Sequence, residues 1–284
     1  MSTAQIAPHE RRSPVSSVSG YLAMVLVVVV VALPLYWILA ASLKERSDIY
    51  SVPVTWVPDP VTFENYDGVR QGVPFLSYLR NSVFITGTLT IVQVVIGVLS
   101  AFALSFLRFP GRTLALLFII AALMVPSQIT WISNYALVAE LGWRNTFQGI
   151  MIPLAGVAFG TFLMRNHFIS LPGEIIEAAE MDHAGPFTLL WRVVLPMSWP
   201  TVIAFTLITV VNEWNQYLWP LLMADDASTA PLPVGLTQLQ DAEGFTNWGP
   251  VMAGTVLTML PILLVFLLLQ RHMIKGLTAG AVKG

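Results

Sequence analysis

One acidic residue, Glu213, lies deep inside a long apolar stretch of the sequence and has polar neighbours on both sides. If that stretch is a single helix of about 100° per residue, its polar and amphipathic side chains share an arc of about 160°. The members of this arc are Asn212, Glu213, Asn215, Gln216 and Trp219. Such an arc can hydrogen-bond a neighbouring helix, line a path for a polar solute, or carry a proton on Glu213.

The sequence offers no constellation for catalysis or for metal binding. It has no cysteine, its four histidines are scattered, and it lacks a His-Glu-x-x-His motif and a phosphate-binding Gly-x4-Gly-Lys-Ser/Thr loop. The net charge of −2 gives no reason to expect a nucleic acid partner. We predict no catalytic residue, metal or cofactor on this chain, so the energy for any uphill work must come from a partner or an ion gradient.

Membrane helices are the elements that must position Glu213. Hydrophobic residues make up 56% of the chain and charged residues 11%, against about 25% charged residues in soluble domains. A membrane-spanning helix needs about 20 apolar residues. Six segments approach that length, namely 21–43, 79–107, 113–132, 149–168, 200–223 and 250–269. We predict an all-α membrane protein with six transmembrane helices in a domain covering 21–275, preceded by a cytoplasmic segment 1–20 and followed by a cytoplasmic tail 276–284.

Lysine and arginine residues set the predicted orientation, because cytoplasmic loops carry an excess of them. With the N-terminus inside, nine lie on the inner side: Arg11, Arg12, Arg108, Arg112, Arg165, Arg192, Arg271, Lys275 and Lys283. Five lie on the outer side: Lys44, Arg46, Arg70, Arg80 and Arg144. We therefore predict a multi-pass protein of the cytoplasmic membrane with both termini in the cytoplasm.

Two further features concern packing. The outer loop 44–78 is rich in proline and aromatic residues, which favours an ordered cap over a plain linker. In the fourth span, Gly156 and Gly160 form a Gly-x-x-x-Gly pair, a spacing that lets membrane helices approach closely.

The inner loop 170–198 carries an acidic ridge. Glu174, Glu177 and Glu180 follow one another at a spacing of three residues, among small and apolar side chains. The inner leaflet of a membrane is anionic and attracts lysine and arginine. An acidic ridge is thus a poor lipid anchor, and we predict a short helix that docks on a partner protein.

The residues Glu177-Ala178-Ala179, followed by Leu195-Pro196, resemble the EAA loop of ABC-importer permeases. The family pattern is Glu-Ala-Ala, three residues, Gly, nine residues, Ile, one residue, Leu-Pro. Here His183 replaces the glycine and Val193 the isoleucine, and we expect Gly185 to supply the turn with positive φ that glycine permits. The resemblance implies a type I ABC importer permease fold whose cytoplasmic coupling helix contacts an ATPase. The implied contact residues are Glu174, Glu177, Ala178, Ala179, Asp182, His183, Gly185, Leu195 and Pro196.

The C-terminal tail and the fifth span make the family resemblance more specific. The tail resembles that of the second permease subunit in carbohydrate importers of the maltose-permease type, which implies an ATPase contact at Gly276, Leu277 and Thr278; a flexible end is the alternative. The sequence 212–220, with Ala242-Glu243-Gly244 and Trp248, resembles the permease of glycerol-3-phosphate and glycerophosphodiester importers, in its actinobacterial form.

This resemblance implies several partners. They are a second, different permease, an ATPase homodimer that uses ATP and Mg²⁺, and an extracytoplasmic substrate-binding lipoprotein. Gln93, Gln128 and Asn134 could add to the substrate path, although packing or capping is the commoner role for such residues.

The residues leave the substrate open. A carboxylate at position 213 repels a bare phosphate ester, whereas the quaternary amine of glycerophosphocholine could meet Glu213 and Trp219 or Tyr217 by charge attraction and cation–π contact. Sugar hydroxyls suit the same side chains, so an ABC importer of trehalose or maltose is an alternative. An ion-coupled secondary transporter that uses Glu213 is a rival from another class.

Overall fold

The computed structural model describes residues 14–240 and 246–281, without the side chains of 14–18, 127 and 271–281. Arg11, Arg12, Lys283 and the sequence Ala242-Glu243-Gly244 lie outside the described backbone. Within the described ranges the ordered elements are helices, without strands. The prediction of an all-α chain is therefore confirmed.

Fourteen α-helices, one π-helical turn and one 3₁₀ turn follow one another along the described residues. They are α1 Pro14–Ser42, α2 Arg46–Ile49, α3 Glu64–Gly72, α4 Phe75–Phe106, α5 Arg112–Met124, α6 Ser127–Glu140, α7 Phe147–Leu154, α8 Ala158–Phe168, α9 Gly173–Met181, α10 Pro186–Leu189, a π turn Leu190–Val194, α11 Leu195–Trp214, α12 Leu218–Met223, α13 Leu232–Leu236, a 3₁₀ turn Thr237–Leu239 and α14 Trp248–Ala281.

Four of the described helical segments are long and apolar enough to cross a membrane. They are Ser19–Ser42, Phe75–Phe106, Pro186–Trp214 and Trp248–Gln270. Two further spans are bent pairs, α5 with α6 at 101° and α7 with α8 at 40°. Counting each pair as one span gives the six that the sequence predicts, but the third and fourth spans are broken instead of straight.

The fifth span is also interrupted, and Pro220 explains why. A proline within a helix lacks an N–H group and its ring clashes with the carbonyl four residues earlier, here that of Gln216. The chain therefore leaves the helix after Trp214 and re-enters it at Leu218, which puts Pro220 in the first turn of α12. The prediction of one continuous helix over 200–223 is wrong.

The helices bury three clusters of apolar side chains. The first core cluster joins α4, α8, α10, the π turn and α11 through Val98, Ala101, Phe102, Met164, Phe168, Leu189, Leu190, Val194, Val202 and Phe205. The second lies under α3 and α13, around Val69, Tyr78 and Leu232. The third joins α4 to α7 and α12 around Leu89 and Ile150. The first lies next to the EAA end of the bundle (residues 107–111 and 169–196), and the second lies at the opposite end.

The loop at the opposite end that precedes α4 is ordered, as its composition predicts. Lys44 is fully buried, donates hydrogen bonds to the carbonyl and hydroxyl oxygens of Thr55, and lies 4.8 Å from the centre of the Trp37 ring. Asn65 of α3 donates to the carbonyl oxygens of Ser42 at 3.0 Å and Lys44 at 2.7 Å. These bonds fix the end of α1 against the cap.

Candidate transport site

A cavity of about 770 Å³ lies among the broken spans, and Glu213 is one of the residues that line it. Ligand pockets usually measure about 300–1,000 Å³ and combine apolar walls with a few polar groups. Most of the lining side chains are apolar or small. The polar ones are Gln93, Thr130, Thr209, Asn212, Glu213 and Gln216. This cavity, called the Glu213 cavity below, therefore has the size and the lining of a site for a small polar solute.

Glu213 is held within its own chain by Gln93. The Gln93 Nε2 atom donates to Glu213 Oε1 at 2.9 Å and to the carbonyl oxygen of Leu154 at 2.8 Å. Leu154 ends α7, so the break after α7 exposes the carbonyl that Gln93 binds. The other carboxylate oxygen, Glu213 Oε2, is buried and has no hydrogen-bond partner within the described structure. A buried acceptor left without a donor is costly, so Glu213 is an incompletely satisfied carboxylate at the wall of the cavity.

The end of α11 and the break that follows it place three members of the predicted arc. Asn212, Glu213 and Gln216 line the cavity, the first two from the last turn of α11 and the third from the 215–217 break. The remaining predicted path residues are Asn215, Trp219, Gln128 and Asn134, and none of them lines it. Gln93, which the sequence also suggests for the path, lines the cavity too. The structure thus brings together four of the eight residues suggested for the path.

Trp219 and Asn215 have structural contacts elsewhere. The Trp219 side chain is 1% exposed and its Nε1 donates to the carbonyl oxygen of Ile150 at 3.1 Å. Asn215 Nδ2 donates to the Val211 carbonyl oxygen at 2.7 Å, at the end of α11. The helical wheel puts both in the arc because it assumes an unbroken helix.

Sequence reasoning missed the link between Gln93 and Glu213, which are 120 residues apart in the chain. Gln93 is buried within α4, amid apolar residues. An amide in such a place needs a partner, and this was the available signal. Thr209 was missed too; it lies one turn before Glu213 on α11 and contributes to the same wall.

The predicted acidic helix is α9, and its ridge is exposed. Glu174, Glu177 and Glu180 all lie on the surface. The opposite face of α9 is fixed to the bundle, since Ile176 and Ala179 pack against the first core cluster. α9 is thus a short helix that is attached by apolar contacts and presents carboxylates outward.

His183 itself makes the turn that ends the EAA segment. Its φ is +54°, whereas Gly185 has φ −65° and ψ 163°, an extended conformation. The expectation that Gly185 supplies the turn with positive φ is therefore wrong. Asp182, the residue before His183, caps the C-terminus of α9, and its side chain is exposed.

The Leu195-Pro196 pair follows the π turn directly. Pro196 has no N–H group to complete an α-helical bond, and the N–H of Leu195 bonds the carbonyl of Leu190, five residues back. At the other end of the chain, Gly276, Leu277 and Thr278 continue the helical backbone of α14, which reaches Ala281.

A turn at the opposite end ties the loop after α6 to the loop after α12. Asn145, at φ +50°, donates to Asp226 Oδ2 at 3.0 Å and accepts from Thr229 Oγ1 at 2.6 Å. Arg144 pairs with Asp225 at 2.5 Å on the surface. Hydrogen bonds from Ser228 and then Asn145 hold the pKa of Asp226 below its ordinary value. The loop before α7 and the loop after α12 are thereby joined as one unit.

Apolar spans broken around a polar cavity, together with an exposed acidic helix between two of the spans, define a membrane transport subunit. Residues 93–278 match the family described as the binding-protein-dependent transport system inner membrane component. The chain belongs to that family. It is an inner-membrane permease subunit of an ABC importer and not an enzyme.

Relatives of known type cover almost the whole chain. The sn-glycerol-3-phosphate transport system permease protein UgpE of Brucella suis biovar 1 (strain 1330) is 36% identical over 272 residues, or 93% of this chain and 96% of the relative. The protein of the same name from Yersinia pestis bv. Antiqua (strain Antiqua) is 33% identical over 264 residues, or 90% and 94%.

The fold also matches solved structures. The crystal structure of a bacterial ABC transporter involved in the import of the acidic polysaccharide alginate superposes with a TM-score of 0.80 at 24% identity, covering 94% of this chain and 99% of that chain. A second alginate transporter structure, in complex with a pentasaccharide-bound periplasmic protein, gives 0.66 at 13% identity, covering 88% and 92%. The prediction of a type I ABC importer permease fold is confirmed.

Proposed function

We propose that this chain forms one half of the transmembrane path of an ATP-driven importer for glycerol-3-phosphate and its diesters, with both termini in the cytoplasm. The observation that carries the proposal is the Glu213 cavity, in a chain whose relatives are named as glycerol-3-phosphate permeases. A second, different permease would complete the path. An ATPase homodimer would hydrolyse ATP with Mg²⁺, and a binding protein would deliver the solute.

The chemistry of the cavity supports recognition of the glycerol part of the solute. Its polar lining consists of amides, threonines and one carboxylate, and no lysine or arginine is among the described lining residues. Glycerol hydroxyls can donate to Glu213 and bond the amides of Asn212 and Gln216.

The phosphate of the solute needs a cation that this chain's cavity lining does not provide. A bare phosphomonoester would depend on the second permease for it, whereas glycerophosphocholine brings its own quaternary amine. Charge balance in this half of the path therefore favours the choline diester over glycerol-3-phosphate, and Glu213 is the group that would attract the amine.

The exposed ridge of α9 supports the contact with the ATPase. Glu174, Glu177 and Ala178 face outward, where a groove on a protein partner could receive them. Asp182, His183 and Gly185 continue that surface. Ala179 and Leu195 pack against the first core cluster, and Pro196 is exposed beside Leu195. The tail residues Gly276, Leu277 and Thr278 would make a second, smaller contact.

ATP hydrolysis by the whole complex tests this function. The importer would be isolated from native membranes through a tag on this chain and mixed with its binding protein. Glycerophosphocholine, glycerol-3-phosphate, maltose and trehalose would be compared as stimulants. We expect stimulation by the phosphodiester or the monoester and none by either sugar. Stimulation by a sugar alone would overturn the proposed substrate, and a complex with no ATPase activity under any condition would overturn the proposed assembly with the ATPase.

Glu213→Gln tests the role of the charge, because it keeps the shape of the side chain and an acceptor oxygen. We expect the KM for glycerophosphocholine uptake to rise about tenfold, the equivalent of about 1.4 kcal/mol. Glu140→Gln, the same change at an exposed glutamate in the last turn of α6, is the matched control and should transport normally. Unchanged rate and KM for every solute in Glu213→Gln would remove Glu213 from the site.

A further inference from the structure

Phe205 lies where the Glu213 cavity meets the first core cluster. It lies eight residues before Glu213 on α11, or about 12 Å towards the EAA end. Its side chain lines the cavity, yet it is only 2% exposed because the rest of the ring is packed in the cluster. One aromatic ring therefore has the candidate solute site on one side and the core of the EAA end on the other.

Two glycines from two other helices make the space for this ring. A Cβ atom on Gly160 of α8 would overlap the Phe205 ring. A Cβ atom on Gly97 of α4 would lie 3.0 Å from Phe205 Cε1 and 3.1 Å from a methyl group of Val157. Phe205 thus leaves no room for a side chain at position 160 and only a tight fit for one at position 97. The ring lies in a notch between α4 and α8.

The two glycines of the Gly-x-x-x-Gly pair have different surroundings. Gly160 is in contact with Phe205, whereas a Cβ on Gly156 would meet nothing within 4 Å. Gly156 lies in the break between α7 and α8. The close approach predicted from the pair therefore involves one of its glycines and an aromatic ring of α11, not two helix backbones meeting along both.

The same cluster reaches the acidic helix. Phe205 belongs to the first core cluster with Phe168 and Val194, and Ile176 and Ala179 of α9 pack against that cluster. Protein interiors are close-packed and transmit displacement. A continuous set of packed side chains thus runs from α9 to the wall of the Glu213 cavity, and Phe205 is its last member.

We propose that Phe205, seated in the Gly97–Gly160 notch, is a positioning residue that transmits movement of α9 to the wall of the Glu213 cavity during transport. The inference rests on the proposed function of that cavity as the solute path. Phe205 acts through the helices that it joins and takes no part in ATP hydrolysis. Disturbing the notch should therefore change how much solute moves for each ATP hydrolysed.

The test uses the complete importer in proteoliposomes and measures solute uptake and ATP hydrolysis together. Gly160→Ala places a methyl group against the ring. We expect uptake per ATP to fall about tenfold, within the usual range for coupling between sites, while the assembled complex still hydrolyses ATP. Gly87→Ala on α4 is the matched control, because its Cβ would meet nothing within 4 Å, and it should keep the wild-type ratio.

A compensating variant separates transmission from simple damage to folding. Leucine lacks the distal ring atoms that meet the new methyl group, so Gly160→Ala/Phe205→Leu should regain at least half of the lost uptake per ATP. Three results would each overturn the proposal: a normal ratio in Gly160→Ala, an equal loss in Gly87→Ala, or a double variant no better than Gly160→Ala.

The outcome is distinguishable from a failure of the proposed function. The ratio is measured with whichever solute stimulates the wild-type complex, so a sugar would replace the phosphodiester without altering the test. Thermal unfolding of the solubilised complex provides the second readout. If the melting temperature and the ratio of Gly160→Ala fall together and the double variant restores only the temperature, Phe205 is a packing residue alone and the proposal fails.

Discussion

Carboxylates lie on α9 and in the last turn of α11, and the two groups have opposite environments. Glu213 is 8% exposed and held by Gln93 from the same chain. Glu174, Glu177 and Glu180 on α9 are exposed. A buried carboxylate must find its donors within the fold or from a bound solute, whereas an exposed ridge is free to meet another protein. The difference separates a region suited to a small solute from one suited to a macromolecular partner.

The largest effect on stability is expected when the buried carboxylate, Glu213, loses its hydrogen bond from Gln93. Gln93→Leu removes both hydrogen bonds that Gln93 Nε2 donates and leaves Glu213 Oε1 and the Leu154 carbonyl oxygen without that donor. Burying unpaired polar groups costs about 1–3 kcal/mol, and more when charged. We expect the unfolding midpoint of this variant, measured in detergent by a titration of denaturant, to shift to a lower denaturant concentration.

A double variant separates the structural role of the Gln93–Glu213 pair from a role in transport. Replacing both partners of a buried hydrogen bond with apolar groups can be nearly neutral, so Gln93→Leu/Glu213→Leu should regain the part of the stability lost at Glu213, while the Leu154 carbonyl stays without its donor. Solute uptake should stay low, because the acceptor in the cavity is gone. A double variant with normal uptake would show that the buried pair only supports the fold.

On the exposed helix α9, substitutions at two adjacent residues should have different outcomes. Ala178 lies on the surface of α9, whereas Ala179 packs against the first core cluster. Ala178→Asp should leave the chain folded and weaken co-purification of the ATPase about tenfold, as an unpaired charge at a protein interface does. Ala179→Asp should destabilise the chain itself, because its carboxylate enters an apolar core.

The two alanine variants are controls for each other. Glu177→Lys, a charge reversal on the exposed ridge, should follow Ala178→Asp. Full ATPase recovery with both surface variants would move the docking site away from α9. Since the natural chain has no cysteine, a single Ala178→Cys change would also give a unique site for cross-linking the partner through this chain.

The two regions differ in how much of their structure can be predicted from the sequence, and the reason is physical. The acidic helix was predicted closely because it is short, local and exposed, so spacing alone defines its faces. The arc around Glu213 was predicted only in part, because a helical wheel assumes a continuous helix and Pro220 interrupts it. The Gln93–Glu213 contact depends on how α4 meets α11, and no local pattern contains that information.

A smaller effect is expected at His183, where the EAA segment departs from its usual glycine. A residue with a side chain in the left-handed region costs roughly 1–2 kcal/mol, and His183 has φ +54°. His183→Gly should raise the stability of the complex by up to about 1 kcal/mol, since glycine's extra freedom in the unfolded chain offsets part of the gain. Coupling should be unchanged.

His183→Val provides the contrast, because a β-branched side chain tolerates this conformation poorly. It should lower the melting temperature and weaken recovery of the ATPase. The Gly185→Ala variant should be close to neutral in the same assays, as its backbone is extended. A large loss in Gly185→Ala with no effect of His183→Val would place the essential turn at residue 185 after all.

The smallest effect is expected at the surface ion pair between Arg144 and Asp225, whose side chains are 45% and 50% exposed. Exposed pairs contribute about 0–1 kcal/mol and are screened by salt, so Asp225→Asn should lower the stability by less than about 1 kcal/mol and the loss should shrink in high salt.

Asn145→Ala should cost more than Asp225→Asn, because Asn145 holds Asp226 and Thr229 in one turn. The lowered pKa of Asp226 means that its bonds stabilise the turn above the ordinary aspartate pKa and are lost as the pH falls through the lowered value. The difference between Asn145→Ala and the natural chain should therefore be constant from neutral pH down to about pH 4 and shrink only below it, and a difference that changed near neutral pH would contradict this account of the turn.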